Sequence, residues 1–270
     1  MRANEYLQTG DLDQALATLT EEVRDNPSNV DLRIFLFQLL SVLGQWERAM
    51  TQLNVAADMD SDAMLMAQIY RSALNCEAVR SDVFQGQRTP LIFGEPWAWM
   101  VWLTQIPPLL AGGNVKAAAD LRDRAFEAAP AISGQIDGEN FTWIADADPR
   151  LGPTLEAIVN GKYYWIPFER ILKIRINKPV DLRDVVWMPA NFTWTNQGEA
   201  VGLIPSRYPG SEQEDSAIRM CRKTDWRDIG YDFFTGRGQR LLATDQGEFP
   251  LLEVRELTLG NSVTPLGEAP

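Results

Sequence analysis

Histidine is absent from the 270-residue chain. Its absence removes the side chain that most often acts as a general base and as a neutral metal ligand, leaving chemistry to carboxylates, Lys, Tyr, Ser or Cys. Cysteine is scarce: only Cys76 and Cys221 occur, far apart, with neither the CxxC spacing of a zinc site nor a disulfide framework. That usage fits a reducing compartment, and a cytoplasmic location is expected. No stretch approaches the ~18 apolar residues of a membrane span, and the opening MRANEYLQTGDLDQAL lacks the apolar run of a signal peptide. Positive charge is short as well, with 25 Lys and Arg against 37 Asp and Glu and a net charge of −12. A nucleic-acid binder would carry a basic footprint, so neither nucleic acid nor membrane is expected as a partner. The acid excess belongs to the first half: residues 1–140 hold 10 basic against 19 acidic side chains, and residues 141–270 hold 15 against 18.

What remains is a globular composition, 45% hydrophobic and 23% charged, long enough for two domains at roughly 100–200 residues each. GDLDQALATL at 10–19 and GQWERAMTQL at 44–53 align Gly10 with Gly44, Ala15 with Ala49 and Leu19 with Leu53. The spacing of 34 is the tetratricopeptide period. A further 68 residues on from the second copy, GGNVKAAADL places Gly112, Ala117 and Leu121 in the same pattern. In such a unit the Gly ends one helix in a left-handed conformation and the small Ala lets the next helix pack closely. Residues 62–83 read as one long helix, and WAWMVWLTQIPPLL as a helix interrupted near Pro107 and Pro108. The first 140 residues are thus expected to form a short all-α, TPR-like superhelix whose acidic groove would favour a basic or amphipathic segment, unless the groove is filled internally.

From about residue 163 the pattern turns strand-like. YYWIPFERILKIRI, DVVWMPANFTW, EAVGLIP and GQRLLATDQGEFPLLEVREL are apolar runs separated by turn residues, with TDQGEF a hairpin turn. A helix is expected at TLEAIVNG, and GRGQR at 236–240 reads as a turn before a strand because it lacks the Lys-Ser/Thr of a phosphate loop. The fold class is α+β multidomain: domain 1–140 helical, domain 141–257 β-rich, and residues 258–270 a loose tail.

WIADADPRLGP lies at the expected junction. Asp146 and Asp148 have turn, capping and ion-pair uses there, the last with Arg150, and these three are expected to be structural residues of the junction. A metal site would need further ligands; Asp137 and Glu139 are near, but DGENFTWIADAD lacks the spacing of a calcium loop. A hydrolytic carboxylate pair needs separation across a cleft. Ser206, Arg207 and Tyr208 in LIPSRYPGSE read as an exposed polar loop, where Ser206 has no His to activate it and Lys223 is its one conceivable base. Trp187, Trp194 and Trp226 stand close in sequence to Arg183, Lys223 and Arg227, which suggests cation–π packing inside the domain, with a peptide- or nucleotide-stacking surface as the second reading. No catalytic residue, cofactor site or metal site is expected.

Taken in order, GDLDQAL, GQWERAMTQL, VFQGQRTP, WIADADPRLGP, LEAIVNGKYYWIPF, DLRDVVWMPA, IPSRYPGSE, KTDWRD and GQRLLATD closely resemble the ImpE family, also called TagJ or SciE, over about residues 5–257. The resemblance implies a cytoplasmic, non-enzymatic accessory component of a bacterial type VI secretion system. It implies a helix near the N-terminus of the small contractile-sheath subunit as partner, and assistance to the AAA+ ATPase that dismantles contracted sheath. It carries across no catalytic residue. Two other readings stand beside it: a hydrolase with a carboxylate site at the junction, and a purely structural scaffold.

Overall fold

The structure, a computed structural model, describes residues 2–260. Eight helices come first: α1 Arg2–Thr9, α2 Leu12–Asp25, α3 Val30–Val42, α4 Trp46–Met59, α5 Ser61–Phe84, α6 Ala98–Thr104, α7 Ile106–Ala111 and α8 Val115–Ala128. Side chains fix where several begin. Asp11 accepts from the Gln14 amide at 3.0 Å, Asn29 from Leu32 at 3.1 Å and Asp60 from Asp62 at 2.9 Å, each satisfying an amide that the first turn leaves unpaired. Gly44 ends α3 at φ +68°, its amide donating to Ser41 and that of Gln45 to Leu40, the paired bonds of a left-handed helix stop. The third copy is displaced by one residue from the expected alignment. Gly113, at φ +74°, takes the left-handed position in place of Gly112, and the buried alanine five residues on is Ala118, whereas Ala117 is exposed. The interruption near Pro107 falls at Gln105, between α6 and α7, with the prolines in the first turn of α7, where no amide is missed.

The strands are β1 Leu91–Ile92, β2 Gly134–Ile136, β3 Glu139–Phe141, β4 Ile144–Asp146, β5 Thr154–Val159, β6 Lys162–Pro167, β7 Ile171–Ile176, β8 Trp187–Trp194 and β9 Glu199–Pro205. After them come β10 Thr224–Asp228, β11 Phe234–Gly238, β12 Leu241–Thr244, β13 Gly247–Pro250 and β14 Glu256–Leu259. Nine strands form one sheet in the order β1-β6-β5-β9-β8-β7-β14-β2-β3, antiparallel except for β1 beside β6. A three-stranded sheet, β13-β12-β4, and the β10-β11 ribbon complete the half. TDQGEF is the hairpin turn between β12 and β13.

Two expectations of secondary structure are corrected. TLEAIV is strand β5, not a helix; all six of its residues are buried, because helices cover one face and a second core covers the other. With both faces buried the period-2 signal weakens, leaving a run that resembles a helix segment. GRGQR is not simply a turn, since Gly236–Gly238 belong to β11. Gly236 is needed there for space: a Cβ would come within 2.3 Å of the Tyr208 ring.

One apolar cluster runs from the helices onto the sheet, joining Leu36, Phe37, Leu40, Tyr70, Leu74 and Val83 to Ile158, Tyr163, Trp165, Trp187 and Leu203. Helical and strand-rich parts therefore share a core. The division expected at 140/141 passes through β3, and that at 257/258 through β14, where Thr258 pairs with Gln135 and Leu259 with Gly134. Residues 261–270 of the expected tail lie outside the described residues.

Candidate functional site

α5 is the element that brings the chain's chemistry together. Its 24 residues span roughly 36 Å at ~1.5 Å per residue. Cys76 Sγ lies 3.6 Å from the Gly161 carbonyl, Arg80 reaches Glu156, and the Phe84 ring is 5.8 Å from Trp165. The helix consequently runs antiparallel to β5 along the sheet, toward the Asn160–Gly161 hairpin tip at its N-terminal side.

Beneath its C-terminal half is a buried ionic network. Arg80 donates to both oxygens of Glu156 at 2.7 and 3.0 Å and to the Arg207 carbonyl at 2.8 Å. Glu156 also accepts from Tyr163 Oη, itself hydrogen-bonded by Trp165 Nε1 at 2.8 Å, and from Arg240. Arg240 bridges onward to Asp146 and to the Pro205 carbonyl. Asp146 accepts further from Tyr208 Oη at 3.1 Å and from the Asp148 amide at 2.8 Å. Asp148 is held by the Arg150 guanidinium and amide and by the Gly236 amide at 2.8 Å. Glu77 accepts from Trp187 Nε1 at 2.7 Å and lies 3.6 Å from Arg80. Arg207 spans the halves differently, donating to the Ser41 and Val42 carbonyls at the end of α3 and to that of Arg219. A cation at that place satisfies carbonyls that the last turn leaves unpaired and opposes the negative end of the helix.

Three arginines, Arg80, Arg150 and Arg240, thus pair with Glu77, Asp146, Asp148 and Glu156, and Arg207 adds a fourth buried positive charge that acts on Glu77 through space. Burial would raise the Glu156 carboxyl, but Arg80 and Arg240 overcome it and hold the group at about 2. Burial dominates at Asp146, pushed up to about 6 with Asp148 adding to the rise against the pull of Arg240. Glu77 is raised by burial despite Arg80. Removing charges from water is costly, and such a network holds only because almost every lone pair and proton has a partner.

The three residues expected at the junction are all here. Asp148 and Arg150 form the expected ion pair, whereas Asp146 is joined to Arg240, 94 residues away. Asp146 and Asp148 are buried and line neither neighbouring cavity; Arg150 lines both. The cavity closest to the network, about 240 Å³, is bordered by Glu77, Arg80, Phe84, Arg150, Glu212 and Arg237. A carboxylate with every approach filled by its own partners has no path to a substrate.

Other sequence candidates separate. Ser206, Arg207 and Tyr208 are buried rather than an exposed loop, because each hydrogen-bonds inward; Ser206 Oγ donates to the Asp184 carbonyl at 2.6 Å. Lys223 is instead paired with Asp215 and Asp225 at the surface. The tryptophans pack against other groups than expected: Trp187 tilts on Trp46 and Tyr70, Trp194 stacks on Phe192, and Trp226 lies against Tyr208. Arg183 sits over Tyr70 at 4.6 Å. Among the described residues no group of three or more Cys, Asp and Glu is arranged to hold a metal ion, and no helix is long and apolar enough to cross a membrane. Cys221 is buried, and burial pushes its thiol up to about 12, keeping it protonated.

The inner face of the helices, expected as a receptor groove, is filled by the chain itself. The 3-10 turn Leu182–Val185 lies on α3, where the Leu182 amide donates to Gln38 Oε1 at 3.0 Å, and Arg183 continues onto Met66 and Tyr70 of α5.

Arg80, Glu77, Glu156 and Arg240 were not singled out by sequence reasoning. The signal available was weak: one acid inside the apolar run TLEAIV, one Arg inside a helix, with nothing to say that 76 residues separate partners.

The segments that meet in this network are those on which the family resemblance rests: WIADADPRLGP, LEAIVNGKYYWIPF, IPSRYPGSE and GQRLLATD. Comparison with known proteins agrees. A family model described as ImpE protein matches residues 138–258, and a tetratricopeptide repeat model matches residues 6–69. The chain is 50% identical over 258 residues to the type VI secretion system accessory component TagJ of Pseudomonas aeruginosa, covering 95% of this chain and 90% of that protein. The chain belongs to the ImpE/TagJ family. A crystal structure of a Vibrio parahaemolyticus protein shares the fold, with a TM-score of 0.89, 24% identity, and coverage of 97% of this chain and 99% of that one. Within the family fold, the ImpE-matched segment supplies most of the network and α5 supplies Glu77 and Arg80.

Proposed function

We propose that the protein is a non-enzymatic, cytoplasmic adaptor of a type VI secretion system. It receives the N-terminal helix of the small contractile-sheath subunit and assists the AAA+ ATPase that takes contracted sheath apart. The observation that carries this reading is the similarity to the accessory component TagJ, which extends over nearly the whole of both chains. The acid excess of residues 1–140 supports it, since a negative surface speeds encounter with a basic or amphipathic segment.

Because the helices and the sheet share a core, the test uses the full chain rather than a truncation at residue 140. Isothermal titration with a peptide spanning that sheath-subunit helix is expected to give saturable binding that weakens with added salt. Absence of heat at millimolar peptide would overturn the reading. The hydrolase alternative has one point in its favour, the Asp146 carboxyl at about 6, inside the useful range for proton transfer. Against it stand the enclosure of Asp146 and its bond to Arg240.

A further inference from the structure

We propose that the exposed N-terminal half of α5 is a docking shelf for an amphipathic helix whose apolar side is flanked by Lys and Arg. The inference rests on the adaptor reading and gives it a surface. On α5 the side chains that meet the sheet recur at helical spacing: Ser72 and Cys76 against Gly161, Arg80 on Glu156. A Cβ on Gly161 would come within 3.2 Å of Ser72 Oγ, so the hairpin tip ends at that turn of the helix. Continued toward the N-terminus, the same stripe is Ile69 and then Leu65. There the sheet has run out, and no described residue covers the stripe.

Leu65 is 70% exposed, Met64 56% and Ile69 45%, with Met59 at the end of α4 exposed beside them in sequence. The opposite side of the same turns is normal core, since Ala63, Ala67 and Tyr70 are buried. About 16 Å of helix, residues 61–71 at ~1.5 Å each, therefore projects past the hairpin with an apolar stripe facing solvent.

Its surroundings select the occupant. Residues 49–70 contain Asp58, Asp60 and Asp62 and no Lys or Arg. Arg71 and Arg183, which adjoin this part of α5, are engaged, the first by Asn54 and the second by Asp181 and the Tyr70 ring. Asp60 is committed to capping α5, while Asp58 and Asp62 are exposed at the rim. Apolar anchors one helical turn apart fit a helix laid along them, and an acidic rim orients a partner with basic flanks. A second copy of this chain would set acidic rim against acidic rim, and an anionic lipid surface would be repelled in the same way.

The test is the titration described above, repeated with full-length Leu65→Glu and Ile69→Glu. Both positions are exposed, so far-ultraviolet circular dichroism and the melting temperature should match those of the parent chain. Each substitution is expected to weaken peptide binding at least tenfold. Asp58→Lys with Asp62→Lys should weaken it several-fold and flatten its salt dependence. Val201→Glu, on the uncovered part of β9 (70% exposed), should leave it unchanged. If the parent chain binds and Leu65→Glu and Ile69→Glu bind equally well, the shelf is overturned and the adaptor reading stands. If the parent chain does not bind, both fall. Self-association of the parent chain that Leu65→Glu abolishes, without any effect on peptide binding, would make the stripe a contact between copies and overturn the shelf.

Discussion

The two halves of α5 invert the usual distribution of residues. Toward its C-terminus, Glu77 and Arg80 are buried among ion pairs, and toward its N-terminus Leu65 and Ile69 face solvent. Both arrangements are costly for an isolated molecule: charges lose hydration inside, and apolar surface gains nothing outside. The buried end is compensated within the chain, because Glu156, Asp146, Asp148 and Arg240 supply partners. At the exposed end none of the described residues covers the stripe, which is what an external partner would correct. One helix thus separates a part of the molecule that is finished from a part that is not.

Breaking the finished end should give the largest effect. Arg240→Met strips Asp146 and Glu156 of a shared guanidinium in a site closed to water. Removing one member of a buried ion pair typically costs about 3–5 kcal/mol, and urea unfolding of Arg240→Met is expected to show a loss in that range. A loss below 1 kcal/mol would mean that the network contributes no more than surface pairs do.

A pH series probes the same end with a comparable effect. The folded Glu156 carboxyl lies at about 2, below its ordinary value of 4.5, so the stability it contributes is fully present above pH ~4.5 and is lost as pH falls through 2. The difference corresponds to about 3 kcal/mol. Asp146 acts with the opposite sign: its folded carboxyl is raised to about 6, so its contribution is present below its ordinary value of 3.8 and lost as pH rises through 6. Denaturation at several pH values should show Glu156→Gln without the acid limb and Asp146→Asn without the limb between pH 4 and 6. Parallel profiles for the parent and both variants would contradict this assignment.

How much of this was legible in the sequence differs between the two ends for physical reasons. The helical repeat was readable because its determinants are local: Gly10 and Gly44 stop helices within a few residues of their own hydrogen bonds, and Ala15 and Ala49 are buried at the same offset. Even so, the Gly112-Gly113 pair offered two left-handed candidates, and only the bond from Asn114 to Leu109 chooses the second. TLEAIV reads as a helix although it is β5, because covering both faces of a strand erases alternation. The network was legible only as residues that did not fit, Asp146 and Asp148 among them, since Arg80 and Glu156 or Asp146 and Arg240 have no local signature linking them. The shelf was hidden for a related reason: residues 62–83 read as one long helix, and only the end of the hairpin shows that no described residue covers Leu65 and Ile69.

A smaller effect tests the seam between repeat and sheet. Gly44 is at φ +68°, and a Cβ there would meet the Glu212 side chain at 2.6 Å. Left-handed backbone costs an alanine roughly 1–2 kcal/mol, and Glu212 must also shift, so Gly44→Ala is expected to lower stability by about that amount in urea unfolding. A neutral result would show that the last turn of α3 can stop without it.

The smallest effect is expected at the unfinished end. Leu65→Gln removes an apolar side chain that has little to pack against, and substitutions at such positions usually stay within about 0.5 kcal/mol. Urea midpoints of the parent and Leu65→Gln should therefore coincide, in contrast to the large loss for Arg240→Met only four helical turns and one strand away. A loss of 2 kcal/mol or more would mean that Leu65 is packed by the chain in solution, and the difference between the two ends of α5 would disappear with it.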